Sequence, residues 1–340
     1  MDAKRIICSF WFGNWTSIFW SSEVNWSEGE SDSTLKDRLH HGTYAVMEFR
    51  GLLFADMGPQ EKMPEFPKYD LYEHPGYRLE GNPISPFTTT TADGKITPTH
   101  LPCNWLQDVD NFVDPVHEQY LHATISVNQF LDARGESLEE IKIKGEDEYV
   151  ETPIGILTLE SRRVRPDSVW VRNIEFIWPN VASLGGWAVL DHEWGPGETE
   201  VHSTPRLVWA VPVDDTNHVM FDMVLVPTGE TFRPTKYSPG LIYPSAGNPK
   251  TYDEMQRYPR DYEAQMSQRP IAVHASEHLG TTDRGVTMMR KGLRRRVRMV
   301  QQGQDPRNWK RCRRKRSPPT EAIPCCGCLR RRLLRMRRDF

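Results

Sequence analysis

PRLVWAVPVDDTNHVMFDMVLVP (Pro205–Pro227) is the stretch that decides the architecture. Two runs rich in β-branched and aromatic residues flank a DDTN punctuation, a pattern that predicts two antiparallel strands joined by a tight hairpin. Upstream the same character recurs in GILTLESRRV (155–164), SVWVRNIEFIWP (168–179) and WAVLDHEWG (187–195), with no helical stretch between them. Strands that follow one another without helices meander and pair antiparallel. Further out, TYAVMEFRGLLFADMGP (43–59) reads as strand, turn, strand. It gives way to MPEFPKYDLYEHPGY (63–77), whose prolines bar it from a sheet interior. TYDEMQRYPRDYEAQMSQ (251–268) reads as a loop with short helical turns. Near the end, Val286, Met289, Leu293, Val297 and Val300 recur at three- and four-residue steps. With Thr281 or Thr282 as cap, they predict a long helix. The sum is an α+β domain in which a curved antiparallel sheet holds a long C-terminal helix.

Composition bounds what such a domain can be. A chain of 340 residues that is 38% hydrophobic can bury a sizeable core. It has no apolar run near the eighteen or so residues that a membrane span needs, so no membrane partner is expected. The N-terminal MDAKRIICSFWFGNWTSIFW starts basic and turns apolar, but Asn14 and the tryptophans interrupt it and no small-residue cleavage site follows. The six cysteines are too unevenly placed for a disulfide framework, which points to a reducing, cytoplasmic setting. PCCGC (324–328) offers three thiolates without a fourth ligand nearby, a weak zinc signal. The formal charge of -3 hides an asymmetry of -20 for residues 1–283 and +17 beyond, where only Asp305, Glu321 and Asp339 are acidic. Because the basic run lacks interleaved aromatics, it reads as a solvated terminus, and no specific nucleic acid is expected.

Chemistry concentrates in CNWLQDVDNFVDPVHEQYLH (103–122). Leu106, Val109, Val113, Val116 and Tyr120 follow helical steps, so one face is expected to be buried. Pro115 breaks the pattern and would open a new segment with Asp114 as its N-cap. His117 and His122 are five apart, about 140° around an ideal helix. A widened turn or a helix end is therefore needed to aim both at one point. Two neutral imidazoles and one carboxylate make the facial triad that leaves positions open on non-haem Fe(II). Asp283, read by itself, is an acid in the first turn of the last helix, favourable to its dipole.

The run CNWLQ followed by D-N-x-x-D-x-x-H-x-x-x-x-H resembles the iron motif of the oxygenase alpha subunits of Rieske non-haem iron aromatic-ring-hydroxylating oxygenases, in their phthalate-dioxygenase-like branch. TYAVMEFRGLLFADMGP, VWVRNIEFIWPNV, WAVPVDDTN and EHLGTTDRGVTMMRKGL match in the same order, over roughly residues 36–306. The resemblance implies a helix-grip (START/Bet v 1-like) fold around an apolar pocket. It implies His117, His122 and Asp283 as the ligands of a mononuclear Fe(II). It further implies Asn111 beside the iron, and Asp114 joining a ligand histidine to the Rieske cluster of a neighbouring subunit. The implied activity is O2-dependent hydroxylation or dealkylation of an aromatic or related apolar small molecule. The implied partners are an NAD(P)H-dependent flavin reductase, a Rieske-containing subunit and further copies in a homotrimer.

A Rieske cluster needs a Cys-x-His and a Cys-x-x-His, and no cysteine here has a histidine two or three residues after it. The expectation is a catalytic domain with its Rieske domain largely missing, no [2Fe-2S] cluster in this chain, and electrons supplied from outside it. The domains expected are an atypical extension (1–35), the end of a Rieske domain (36–65), the iron-binding catalytic domain (66–308) and a basic, disordered tail (309–340). The competing expectation is a redox-incompetent remnant, or a module of the same fold that binds an apolar ligand.

Overall fold

The computed structural model describes residues 6–9, 44–56, 63, 66–67, 69, 76–81, 88–90, 96–125, 142–143, 145–166, 168–190, 200–201, 206–229, 251–257 and 259–306. The chain divides into two units, 1–67 and 68–340. In the first, β1 (Ile6–Ser9) runs parallel to β3 (Leu52–Asp56), and β2 (Ala45–Phe49) closes on β3 as an antiparallel hairpin. The hairpin turns on Arg50 and Gly51, with φ of 51° and 80°, the pair of positive values that a tight β-hairpin demands. Leu52 and Phe54 are buried, and Phe66 packs its ring on Phe49 and Phe54. The strand, turn, strand reading is realised over 45–56; the strand at 6–9 lies in what reads as an extension. The basic tail and the PCCGC cluster fall outside the described residues.

The second unit is built on an antiparallel sheet of ten strands among the described residues. They are β4 (Tyr77–Gly81), β5 (Thr88–Thr90), β6 (Ile96–Leu101), β7 (Glu146–Glu151), β8 (Gly155–Arg165) and β9 (Ser168–Ile177). β10 (Val181–Leu190), β11 (Glu200–Val201), β12 (Arg206–Asp214) and β13 (Asn217–Pro227) follow. The order is β5-β6-β13-β12-β10-β9-β8-β7, with β4 on β13 and β11 on β10. The DDTN punctuation does form the β12–β13 turn, and the Asp214 carboxylate accepts the Thr216 N–H at 2.7 Å. Cross-strand register puts Ile156 opposite Phe176, Phe176 opposite Ala182, and Ala210 opposite Met220. One face of the sheet therefore carries a continuous apolar layer.

Among the described residues, five helices longer than a single 3₁₀ turn accompany the sheet: α1 (Trp105–Asn111), α2 (Glu118–Ile125), α3 (Tyr252–Arg257), α4 (Asp261–Ser267) and α5 (Arg284–Gln301). Val109, Phe112 and Val113 join Val286 and Met289 of α5 on the apolar layer, forming the core. α5 comes unusually close to its neighbours. A Cβ at Gly285 would lie 2.1 Å from the Val113 carbonyl, and one at Gly292 would lie 2.3 Å from the Trp178 indole. Arg296 lays its guanidinium over the same indole, 3.9 Å from the ring centroid, a cation–π contact. The α+β architecture with a long last helix is thus as expected. Tyr120 is not: it is 60% exposed rather than part of a buried stripe, because the 3.6-residue phase ends at Pro115. Thr281 and Thr282 do not cap α5 either; with Asp283 they form a 3₁₀ turn before it.

Candidate metal centre

The segment that carries the histidines is shaped by its own caps. Asn104 starts α1 by accepting the Leu106 N–H on its side chain at 3.0 Å. The end of α1 tightens, with the N–H groups of Phe112, Val113 and Asp114 each bonded three residues back. Pro115 cannot continue that ladder. Asp114 instead accepts the Val116 N–H on Oδ1 at 3.0 Å, the N-cap role read from sequence. A turn later the chain enters α2, whose hydrogen bonds span five residues, not four. Such wide turns bring residues five apart towards one face and are frequent at functional sites. They supply what the His-x4-His spacing requires: the two rings lie 5.1 Å apart, centroid to centroid, at 68°.

The carboxylate they face comes from α4. Asp261 Oδ1 lies 3.2 Å from His122 Nε2 and 3.7 Å from His117 Nε2. One ligand atom from each of the three residues fits within 4.8 Å of the others. Asp261 is buried, as is His122, and His117 is partly so. Asn111 donates its side-chain amide to Asp261 Oδ1 at 3.3 Å. His117 Nδ1 bonds the Asp114 backbone carbonyl, with the Asp114 carboxylate 3.7 Å away. Two imidazoles and a carboxylate, oriented by an amide and a carbonyl, make a donor set that could hold a divalent metal.

Electrostatics agrees with that reading. Burial disfavours a charged His117, but its hydrogen bond to Asp114 and the charge of Asp261 outweigh burial and raise its pKa to about 9. Burial works against the Asp261 carboxylate too, and the nearby His122 and His117 more than offset it, so its pKa falls below the ordinary value. Asp114 is likewise lowered, by its bonds to His117 and Val116 against the effect of burial. With protons in place of a metal, the cluster holds its charge balance by protonating an imidazole.

Of the residues singled out in the sequence, the structure brings together His117, His122, Asn111 and Asp114. It does not bring Asp283. That carboxylate turns back on its own chain, accepting the Gly280 N–H at 2.6 Å in the turn before α5, so it serves the helix start. The carboxylate that stands beside the two histidines is that of Asp261, which sequence reading left in a loop with helical turns. The helical turns exist as α3 and α4. No periodicity or motif distinguished Asp261 from the other acids of that stretch, Asp253, Glu254 and Glu263.

No family model matches the chain. Among curated proteins it is 31% identical over 265 residues to the phenoxybenzoate dioxygenase subunit alpha of Ectopseudomonas oleovorans, a match covering 77% of this chain and 59% of that one. It is 32% identical over 280 residues to the tert-butanol monooxygenase / tert-amyl alcohol desaturase oxygenase subunit of Aquincola tertiaricarbonis, covering 77% and 54%. It is 25% identical over 282 residues to the 5,5'-dehydrodivanillate O-demethylase oxygenase subunit of Sphingobium sp. (strain NBRC 103272 / SYK-6), covering 80% and 56%. The chain thus spans a little over half the length of the curated relatives it matches.

Proposed function

The chain is a sequence relative of the Rieske oxygenase alpha subunits, and from that premise we propose that it is the catalytic part of such an oxygenase. In this reading His117, His122 and Asp261 hold a mononuclear Fe(II), and an apolar small molecule is hydroxylated or dealkylated with O2. The observation that carries it is the convergence of two imidazoles and one buried carboxylate from α2 and α4. When bound, Fe(II) in a two-histidine, one-carboxylate site keeps open positions for oxygen activation.

The protein's own residues have definite tasks in that chemistry. His117 gives its Nδ1 hydrogen to the Asp114 carbonyl, which selects the tautomer whose Nε2 lone pair faces His122 and Asp261. The nearby Asp114 carboxylate makes that imidazole more basic and a better ligand. Asn111 restrains the Asp261 carboxylate through Oδ1. The substrate's hydrocarbon part is assigned to an apolar pocket of the helix-grip kind beside the triad. Relatives named for a phenoxybenzoate, a tertiary alcohol and a dehydrodivanillate O-demethylase activity support an apolar, oxygen-bearing substrate, with aromatic molecules foremost. Electrons are assigned to a source in trans, an NAD(P)H-dependent flavin reductase acting through a Rieske-containing subunit, with Asp114 at the point of entry and a homotrimer as the assembly.

The test is iron stoichiometry together with the electronic spectrum of the purified chain. About one iron per chain without iron–sulfur visible absorption is expected from a triad and no cluster. A chain that takes up no Fe(II) under anaerobic reconstitution would leave the apolar-ligand module as the better description.

A further inference from the structure

α1 carries polar residues on its buried face, where a helix against a sheet normally presents aliphatic ones. Gln107 and Asp108 are both 2% exposed. Gln107 donates its amide to the carbonyls of Gln265 and Arg269 at 2.9 and 3.0 Å, and accepts the Ala272 N–H at 3.0 Å. Asp108 accepts the Gln265 side-chain amide at 2.6 Å on Oδ1 and meets His218 Nε2 at 3.3 Å on Oδ2. His218, wholly buried on β13, has its other ring nitrogen 2.8 Å from the Cys103 carbonyl. A carbonyl and a carboxylate are both acceptors, so both ring nitrogens donate and the ring is an imidazolium.

These contacts form a ladder. Asn111 meets Asp261 at one rung, and Asp108 meets Gln265 one helical turn further along each helix, so α1 and α4 lie antiparallel. Gln107 closes the far end of α4. His218 anchors the ladder to the sheet, because β13 pairs there with β6, where His218 stands opposite Leu101.

We propose that His218, Asp108 and Gln265 form a buried charged strut that positions α4, and through it the Asp261 carboxylate, against the two histidines; this rests on the metal reading above. His218 and Asp108 are positioning residues, since neither is in contact with the triad. The raised pKa of His218, about 10, agrees with a permanent imidazolium: burial opposes the charge, and the hydrogen bonds to Asp108 and Cys103 outweigh it. An opposing pair of full charges fixes a distance and a direction more sharply than apolar packing, and removing one partner leaves the other buried and uncompensated.

Three variants of the full chain test the strut: Gln265→Ala, which keeps the ion pair and removes only its link to α4; His218→Gln; and His122→Ala as a ligand control. Co(II) is the metal probe, its affinity measured by chelator competition at a temperature where circular dichroism shows each metal-free variant folded. Gln265→Ala and His218→Gln should weaken Co(II) binding by about 10- to 100-fold, the usual cost of losing a group that orients a ligand. A purely structural role lowers the melting temperature and leaves this affinity alone, so wild-type affinity in Gln265→Ala overturns the proposal. Hydrogen exchange reads the strut without metal. Peptides over 259–268 should lose protection in both variants while those over 206–226 keep theirs, and unchanged exchange in α4 overturns the strut. If wild type takes up no Co(II), or His122→Ala binds it equally well, the metal reading has failed and the exchange result alone decides. In ¹⁵N-histidine-labelled protein at pH 8, the resonance missing from His218→Gln should be that of a doubly protonated ring; a neutral ring overturns the charge assignment.

Discussion

Asp261 and Asp283 each sit in the first turn of a helical segment, yet only Asp261 has imidazoles to face. Asp261→Ala should therefore abolish most iron uptake, because two remaining ligands hold a labile Fe(II) poorly. Asp283→Ala should keep the iron and cost about 1 kcal/mol, the loss of a turn-capping carboxylate. Iron content by elemental analysis and thermal melts of both variants separate the two roles; iron loss in Asp283→Ala with retention in Asp261→Ala would reverse the assignment. His218 makes a second prediction at this scale. Its folded pKa of about 10 lies above the ordinary 6.5, so its contribution to stability is complete below pH 6.5 and disappears as pH rises through 10. The melting temperature of metal-free protein should fall between pH 7 and 10, and fall less steeply in His218→Gln. Parallel pH profiles would show that the ring titrates alike in both states.

The elements around the site are placed by close backbone approach as much as by side chains. Gly285 brings the start of α5 against the Val113 carbonyl and the Tyr149 ring, where a Cβ would lie 2.1 and 2.5 Å away. Backbone cannot yield as a flexible side chain can. Gly285→Ala should destabilise the protein by about 1–3 kcal/mol, as overpacking does. It should also weaken metal binding, since Val113 immediately precedes the Asp114 cap. Urea melts with and without Fe(II) measure both effects; a wild-type midpoint would mean that α5 is free to shift. Three residues before Val113, Arg290 of the same α5 bridges Asp110 and Glu277. α1 is thus gripped on three sides, by the sheet, α4 and α5, and the histidines follow directly from its end.

At the scale of the whole molecule, the proposed reaction consumes electrons, and the chain has no Cys-x-His and Cys-x-x-His set to carry them to the triad. NAD(P)H with a flavin reductase should give no sustained turnover of a phenoxy or methoxy aromatic acid by this 340-residue chain alone. A separate Rieske-containing subunit should restore it, and hydrogen peroxide, whose oxygen is already reduced, should support slow product formation without either. Product analysis by mass spectrometry with and without each component is the measurement. Coupled NAD(P)H turnover by the chain alone would require an electron path other than the one proposed.

Local pattern made much of this protein legible. Alternating β-formers and the DDTN turn announce β8, β9, β12 and β13 and the end of β10, the three- and four-residue steps announce α5, and Pro115 after Asp114 announces the break that starts the histidine segment. The five-residue spacing of His117 and His122 even states the need for a widened turn. All of these depend on residues near one another in the chain, where periodicity and backbone sterics act directly. The carboxylate beside the histidines does not. His122 and Asp261 are brought together by the antiparallel ladder between α1 and α4 and by a buried imidazolium on a distant strand, and nothing within ten residues of Asp261 or Asp283 distinguishes an acid that returns to the histidines from one that caps its own helix. By itself the sequence determined the main strands, the last helix and the pair of histidines to look at. Only tertiary structure decided the carboxylate, because that choice depends on which long-range packing buries a charge beside compensating partners.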